Sequence, residues 1–212
     1  MSNYKLRRSN KNDDVWLLSY ADMITNLLIF FVAILSMSDI SRVKMEAIQE
    51  KLSGATKTHS LKSIKEELAT YIEEQGHGDV VKVELTDRGL EISLNSGIVF
   101  PVGSERIEER WLPILDEVMG KLKVYADRYE FAVEGHTDDT PVRKGSRFLS
   151  NWELSSARAH EVRFRMEQQG IPGSRLRVES YGDTRHLPAT TLENLSEEEV
   201  KSRHRRVVIR VF

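Results

Sequence analysis

The sequence predicts an α+β chain in which one N-terminal transmembrane helix precedes a single folded domain. Three observations predict it. Residues 15–37 hold one charged side chain, Asp22, whereas the chain as a whole is 30% charged. Later segments alternate between strand-like and helix-like hydrophobic periods in mixed order, the pattern of packed helices on a sheet. The chain has 212 residues, which leaves room for one domain after the apolar segment is set aside. A net charge of −2 gives no electrostatic case for nucleic-acid binding. Cysteine is absent, which excludes a disulfide framework, a zinc-thiolate site and a cysteine nucleophile.

The apolar segment, Val15 to Met37, reads VWLLSYADMITNLLIFFVAILSM. As a helix it is about 34 Å long, enough to cross a hydrocarbon core. No small-residue cleavage pattern follows it in Ser38-Asp39-Ile40, so a retained anchor is expected rather than a signal peptide. Lys5, Arg7, Arg8 and Lys11 precede it and place the N-terminus on the cytoplasmic side, with the rest of the chain outside. Ser19, Asp22, Thr25 and Asn26 fall at helical spacing and form one polar stripe. An ionised carboxylate at such a depth costs on the order of 3 kcal/mol. Either the stripe fixes helix association, or Asp22 loads and releases a cation at an interface with another helix.

Beyond the span, residues 38–53 carry apolar positions near helical spacing, a face for the membrane surface or for a partner helix. Leu61, Ile64, Leu68, Tyr71 and Ile72 repeat the pattern up to Gly76. Val80–Leu85 and Leu90–Leu94 flank Asp87-Arg88-Gly89 as a hairpin. A helix is predicted over Arg110–Ala126, then a strand over Glu130–Glu134 that ends at Gly135. A second helix is predicted over Trp152–Gln169, halted at Gly170-Ile171-Pro172. Strands at Leu176–Ser180 and Val207–Phe212 close the domain, with Leu195–Arg203 helical between them. The resulting segments are a basic tail (1–14), the span (15–37), linker helices (38–76) and the folded domain (77–212).

Three blocks then become recognisable. Trp16-Leu17-Leu18-Ser19-Tyr20-Ala21-Asp22-Met23-Ile24-Thr25, running into Phe30-Phe31-Val32, resembles the membrane segment of MotB/PomB-type stator subunits of bacterial motors. Val133-Glu134-Gly135-His136-Thr137-Asp138 and Asn151-Trp152-Glu153-Leu154-Ser155-Ser156-Ala157-Arg158-Ala159 resemble the two hallmark blocks of OmpA-like peptidoglycan-binding domains. The resemblance implies an OmpA-like α/β sandwich and no enzymatic activity. It implies that Asp22 binds the transported ion, a proton or sodium, and that no cofactor is needed. It further implies a homodimer held in the inner membrane by five copies of a multi-span MotA/PomA-like A subunit, with residues 38–53 as a plug and the folded domain in the periplasm. In that domain, which would bind the diaminopimelate-containing stem peptide of peptidoglycan, Asp138 would receive the ligand's ammonium and Arg158 its carboxylate, with Thr137 and Asn151 as further polar contacts. A guanidinium suits a carboxylate through paired hydrogen bonds.

On the residues alone, Asp138 reads as a turn residue and Arg158 as a surface helix residue. His136, His160 and His186 are too scattered for a metal set. Where relatives carry Asn-Arg-Arg before the closing strand, this chain has His204-Arg205-Arg206. Two other functions stay open: a passive wall anchor that moves no ion, and the B subunit of a Zorya-type anti-phage motor, which also resembles MotB.

Overall fold

The computed structural model describes residues 15–37, 60–143, 145–188, 192 and 195–212. Two units separate near residue 40, and each is described by itself. The proposed plug, 38–53, lies outside the described residues.

The first unit contains α1, Val15–Met37. It is long and apolar enough to cross a membrane, and none of its hydrophobic window is buried. The hydroxyl of Thr25 donates back to the carbonyls of Ala21 and Asp22, so part of the polar stripe is satisfied within the helix.

The second unit begins, among the described residues, with α2, Leu61–Glu74. The Ser60 side chain accepts from the backbone N–H of Ser63 and caps its start. The hairpin of β1 (Val81–Thr86) and β2 (Gly89–Asn95) follows, then a short turn of helix, α3 (Ser96–Val99). Helix α4 spans Leu112–Lys123, later than predicted, because Pro113 is suited to a first helical turn and a 3-10 turn at Glu109–Trp111 precedes it. Strand β3 is Phe131–His136, helix α5 is Asn151–Gln168, strand β4 is Leu176–Gly182, helix α6 is Glu197–His204 and strand β5 is Arg206–Val211.

The strands form one sheet in the order β1-β2-β5-β3-β4. All neighbours are antiparallel except β3 and β4, which run parallel across the α5 crossover. Residues Leu90, Ile92 and Leu94 of β2, Val207, Ile209 and Val211 of β5, and Phe131 and Val133 of β3 bury one face. Against them pack Leu61, Ile64, Leu68 and Ile72 of α2, Leu115, Val118, Met119 and Leu122 of α4, and Ala159, Val162 and Met166 of α5. Alternation explains this arrangement: every second strand residue points to the helices, so the opposite face collects Lys82, Glu84, Glu91, Arg210 and Glu179. The result is a mixed α/β sheet domain with α2, α4 and α5 on one face.

Strand β3 extends past the predicted end at Gly135. His136 still pairs with Arg206 of β5, and the irregularity lies on the β4 side between Gly135 and His136. Gly135 is therefore no strand breaker. A Cβ at this position would lie 2.1 Å from the Ser155 carbonyl oxygen, so glycine lets α5 sit directly on β3.

Candidate functional site

The parallel pair β3–β4 and its crossover helix create the site. Chain leaving β3 passes at once to Thr137 and Asp138, and the loop to residue 150 returns to the N-terminus of α5. Ser150 caps that helix by accepting from the Glu153 N–H. The Ser155 hydroxyl fastens the helix to the end of β4, lying 2.6 Å from the Ser180 hydroxyl and accepting from the Gly182 N–H at 3.2 Å. Asn151, Leu154 and Arg158 are spaced by three and four residues and share one face of α5. All three line a cleft of about 730 Å³, together with Thr137, Asp138, Phe100 and Arg205.

Each of the four outer-domain residues expected at the site borders this cleft. Asn151 donates to the carbonyls of Asp138, at 3.3 Å, and Thr140, at 3.1 Å, and so ties the loop to the helix. Thr137 is only 3% exposed, and its hydroxyl has no hydrogen-bond partner among the described residues. Asp138 and Arg158 are 5% and 4% exposed. That corrects the reading of the residues alone: Asp138 is not an open turn and Arg158 is not on a solvated helix surface. The close approach of α5 to β3 at Gly135 holds both inward.

The two buried charges have different surroundings. Asp138 Oδ1 accepts from the Thr140 N–H at 3.3 Å, and Oδ2 is engaged by the guanidinium of Arg205. Arg158 forms no ion pair among the described residues. Its Nε donates to the Ser104 carbonyl at 2.9 Å, a longer contact reaches the Pro101 carbonyl, and its guanidinium lies 5.1 Å from the centre of the Phe100 ring. Burial lowers its pKa to about 10, with Arg205 adding repulsion and Asp138 opposing it. At neutral pH it remains a cation in a desolvated wall. Burying a charge without a counter-charge is costly, so such a group marks a place where an anion fits.

Arg205 is the residue that the sequence argument missed. The His204-Arg205-Arg206 block ahead of the closing strand was its only signal, and the departure at His204 drew attention to the wrong position. His204 instead stacks near His186, with the two Nδ1 atoms 3.1 Å apart. On the far side of β3, Glu134 is buried beneath Arg88 and Arg210, each at 2.6 Å. His136, 2% exposed, stacks on Tyr181 with its Nε2 3.5 Å from Glu134. Burial opposes the charge of Glu134, but His136, Arg210 and Arg88 outweigh it and hold its pKa low.

Comparisons with known proteins divide the chain in the same way. Residues 99–201 match the OmpA family model, and residues 4–56 match that of membrane MotB of the proton-channel complex MotA/MotB. Motility protein B of Helicobacter pylori (strain ATCC 700392 / 26695) is 27% identical over 209 residues, covering 84% of this chain and 80% of that protein. The crystal structure of a periplasmic fragment of Helicobacter pylori MotB superposes with a TM-score of 0.54 at 29% identity, covering 62% of this chain and 80% of the fragment. The cell wall anchor of the T6SS from Pseudomonas aeruginosa superposes with a TM-score of 0.58 at 28% identity, covering 68% of this chain and 96% of that one. With the apolar helix and the sheet domain both accounted for, the chain is a MotB-type protein carrying an OmpA-like domain.

Proposed function

We propose that the chain is the B subunit of an ion-driven rotary motor, conducting protons or sodium ions through Asp22 and gripping peptidoglycan with its outer domain. Membership of the stator and wall-anchor family is the firm ground. The observation that carries the finer reading is Asp22 itself. It is a carboxylate on an apolar helix of membrane-spanning length, inside the segment matched by the MotB model. A single helix cannot line an ion path, so a multi-span A subunit supplies the other wall, in a complex of two B and five A chains. Ion binding neutralises the carboxylate and release restores its charge. That alternation biases the partner interface between two arrangements.

The outer domain then holds this assembly to the wall. The cleft between Asp138 and Arg158 receives a stem peptide, with Thr137 and Asn151 as polar contacts. The chain makes and breaks no covalent bonds in this role. It sits as a single pass in the inner membrane, N-terminus inside, and drives flagellar rotation. Likeness to a cell wall anchor favours one other reading, a passive tether.

The deciding experiment is swimming of the native host carrying Asp22→Asn at the chromosomal locus. Paralysed cells with normal filaments support the motor. Normal swimming, with no second stator set present, removes the flagellar role. Phage sensitivity of the same strain then separates a defence motor from a static anchor.

A further inference from the structure

Charge in the cleft is out of balance. Among the described residues its walls carry Arg143, Arg147, Arg158 and Arg205 against one carboxylate, Asp138. Glu105 engages Arg147. Three guanidiniums then face one carboxylate. Both oxygens of that carboxylate are in use before any ligand enters, one by Arg205 and one by the Thr140 N–H. Arg158 has only carbonyl and ring contacts. Arg143 is exposed on the loop with no ion pair among the described residues. The unpartnered hydroxyl of buried Thr137 can also donate to an anion.

A simple zwitterion reader would offer one free acid and one free base. Here an incoming ammonium has to share Asp138 with a guanidinium, whereas incoming carboxylates meet two cations that form no ion pair among the described residues. From this imbalance, and resting on the wall-binding reading above, we infer that the cleft selects its peptide by free carboxylates. One carboxylate sits on Arg158 and a second at the loop wall that carries Arg143. Stem peptides whose diamino-acid and terminal carboxyl groups are primary amides are rejected. An amide loses the charge-assisted bonds and leaves Arg158 desolvated without a counter-charge.

The test uses the full chain in detergent micelles and calorimetry with two synthetic stem peptides of one sequence. In one peptide the diamino-acid side-chain carboxyl and the terminal carboxyl are free, and in the other both are amidated. The free-acid peptide is expected to bind on the order of tenfold tighter or more, with an advantage that shrinks as salt rises. In Arg143→Gln, an exposed substitution, the advantage is expected to shrink as well. Equal affinities, or tighter binding of the amidated peptide, overturn the inference while leaving wall binding in place. An undiminished preference in Arg143→Gln overturns the second contact. Binding of neither peptide removes the wall-binding reading and the inference with it.

Discussion

Asp22 and Asp138 are carboxylates in the two units of this chain, and they differ in what the chain offers them. Asp138 sits in a wall that already supplies a guanidinium and a backbone N–H. Asp22 stands on a helix whose neighbouring hydroxyl, on Thr25, is turned back to backbone carbonyls. A charge matched within the fold is part of the structure until a ligand competes for it. A charge left unmatched has its partner elsewhere. By this criterion Arg158 belongs with Asp22, since the cation is buried and no acid pairs with it directly among the described residues, the nearby Asp138 and Glu105 being engaged by Arg205 and Arg147.

The sharpest break in that comparison comes from Asp22→Asn. Complete loss of swimming is expected while binding of the chain to purified sacculi stays at the wild-type level, because the substitution touches only the first unit. Parallel loss of both would show that the carboxylate is structural. Arg158→Gln is expected to act on the outer domain instead, weakening binding of a free-acid stem peptide by about 2 kcal/mol or more. Its unfolding midpoint should hold or rise, since an unpaired buried cation is removed. A stable variant with undiminished affinity would place the anion site elsewhere. Gly135→Ala acts on neither charge. It forces β3 and α5 apart against the Ser155 carbonyl and is expected to cost about 2 kcal/mol of stability, read by thermal unfolding.

Much of the fold was legible because strand and helix periods are strong here. The β1–β2 hairpin and α5 lie within a residue or so of their predicted bounds, with α5 beginning at Asn151 where Ser150 caps it. The start of α4 differed for a local reason, Pro113 and the 3-10 turn before it, whereas the end of β3 was set by a contact distant in sequence. The extension of β3 to His136 depends on pairing with Arg206, seventy residues later. The cleft was legible only in part, for the same reason. Asp138, Thr137, Asn151 and Arg158 sit in recognisable blocks, but their burial depends on how closely α5 approaches β3. Arg205 reaches Asp138 from the far end of the domain, and no local period encodes that pair.

The smallest expected effect tests the matched side of the comparison. His136 is buried between Glu134 on its own strand, Arg206 on β5, and Tyr181 and Arg185 at the end of β4. Burial lowers its pKa, Arg206 and Arg185 lower it further, and Glu134 only partly offsets them. The folded chain therefore keeps the imidazole neutral at a pH where the unfolded chain takes up a proton, below about 6.5. Proton uptake by the unfolded state makes stability fall as pH drops from 7 towards 5. His204 is shifted in the same direction, by burial and then by His186, and adds to that slope. Glu134, held low, loses its contribution only at more acid pH, so the two windows are separate. Unfolding midpoints between pH 5 and 8 are expected to be flatter in His136→Gln than in the wild type, with the remaining slope due to His204. Superimposable profiles would mean that the histidine titrates alike in both states. The charges behind β3 would then not be matched within the fold in the way that those around Asp138 are.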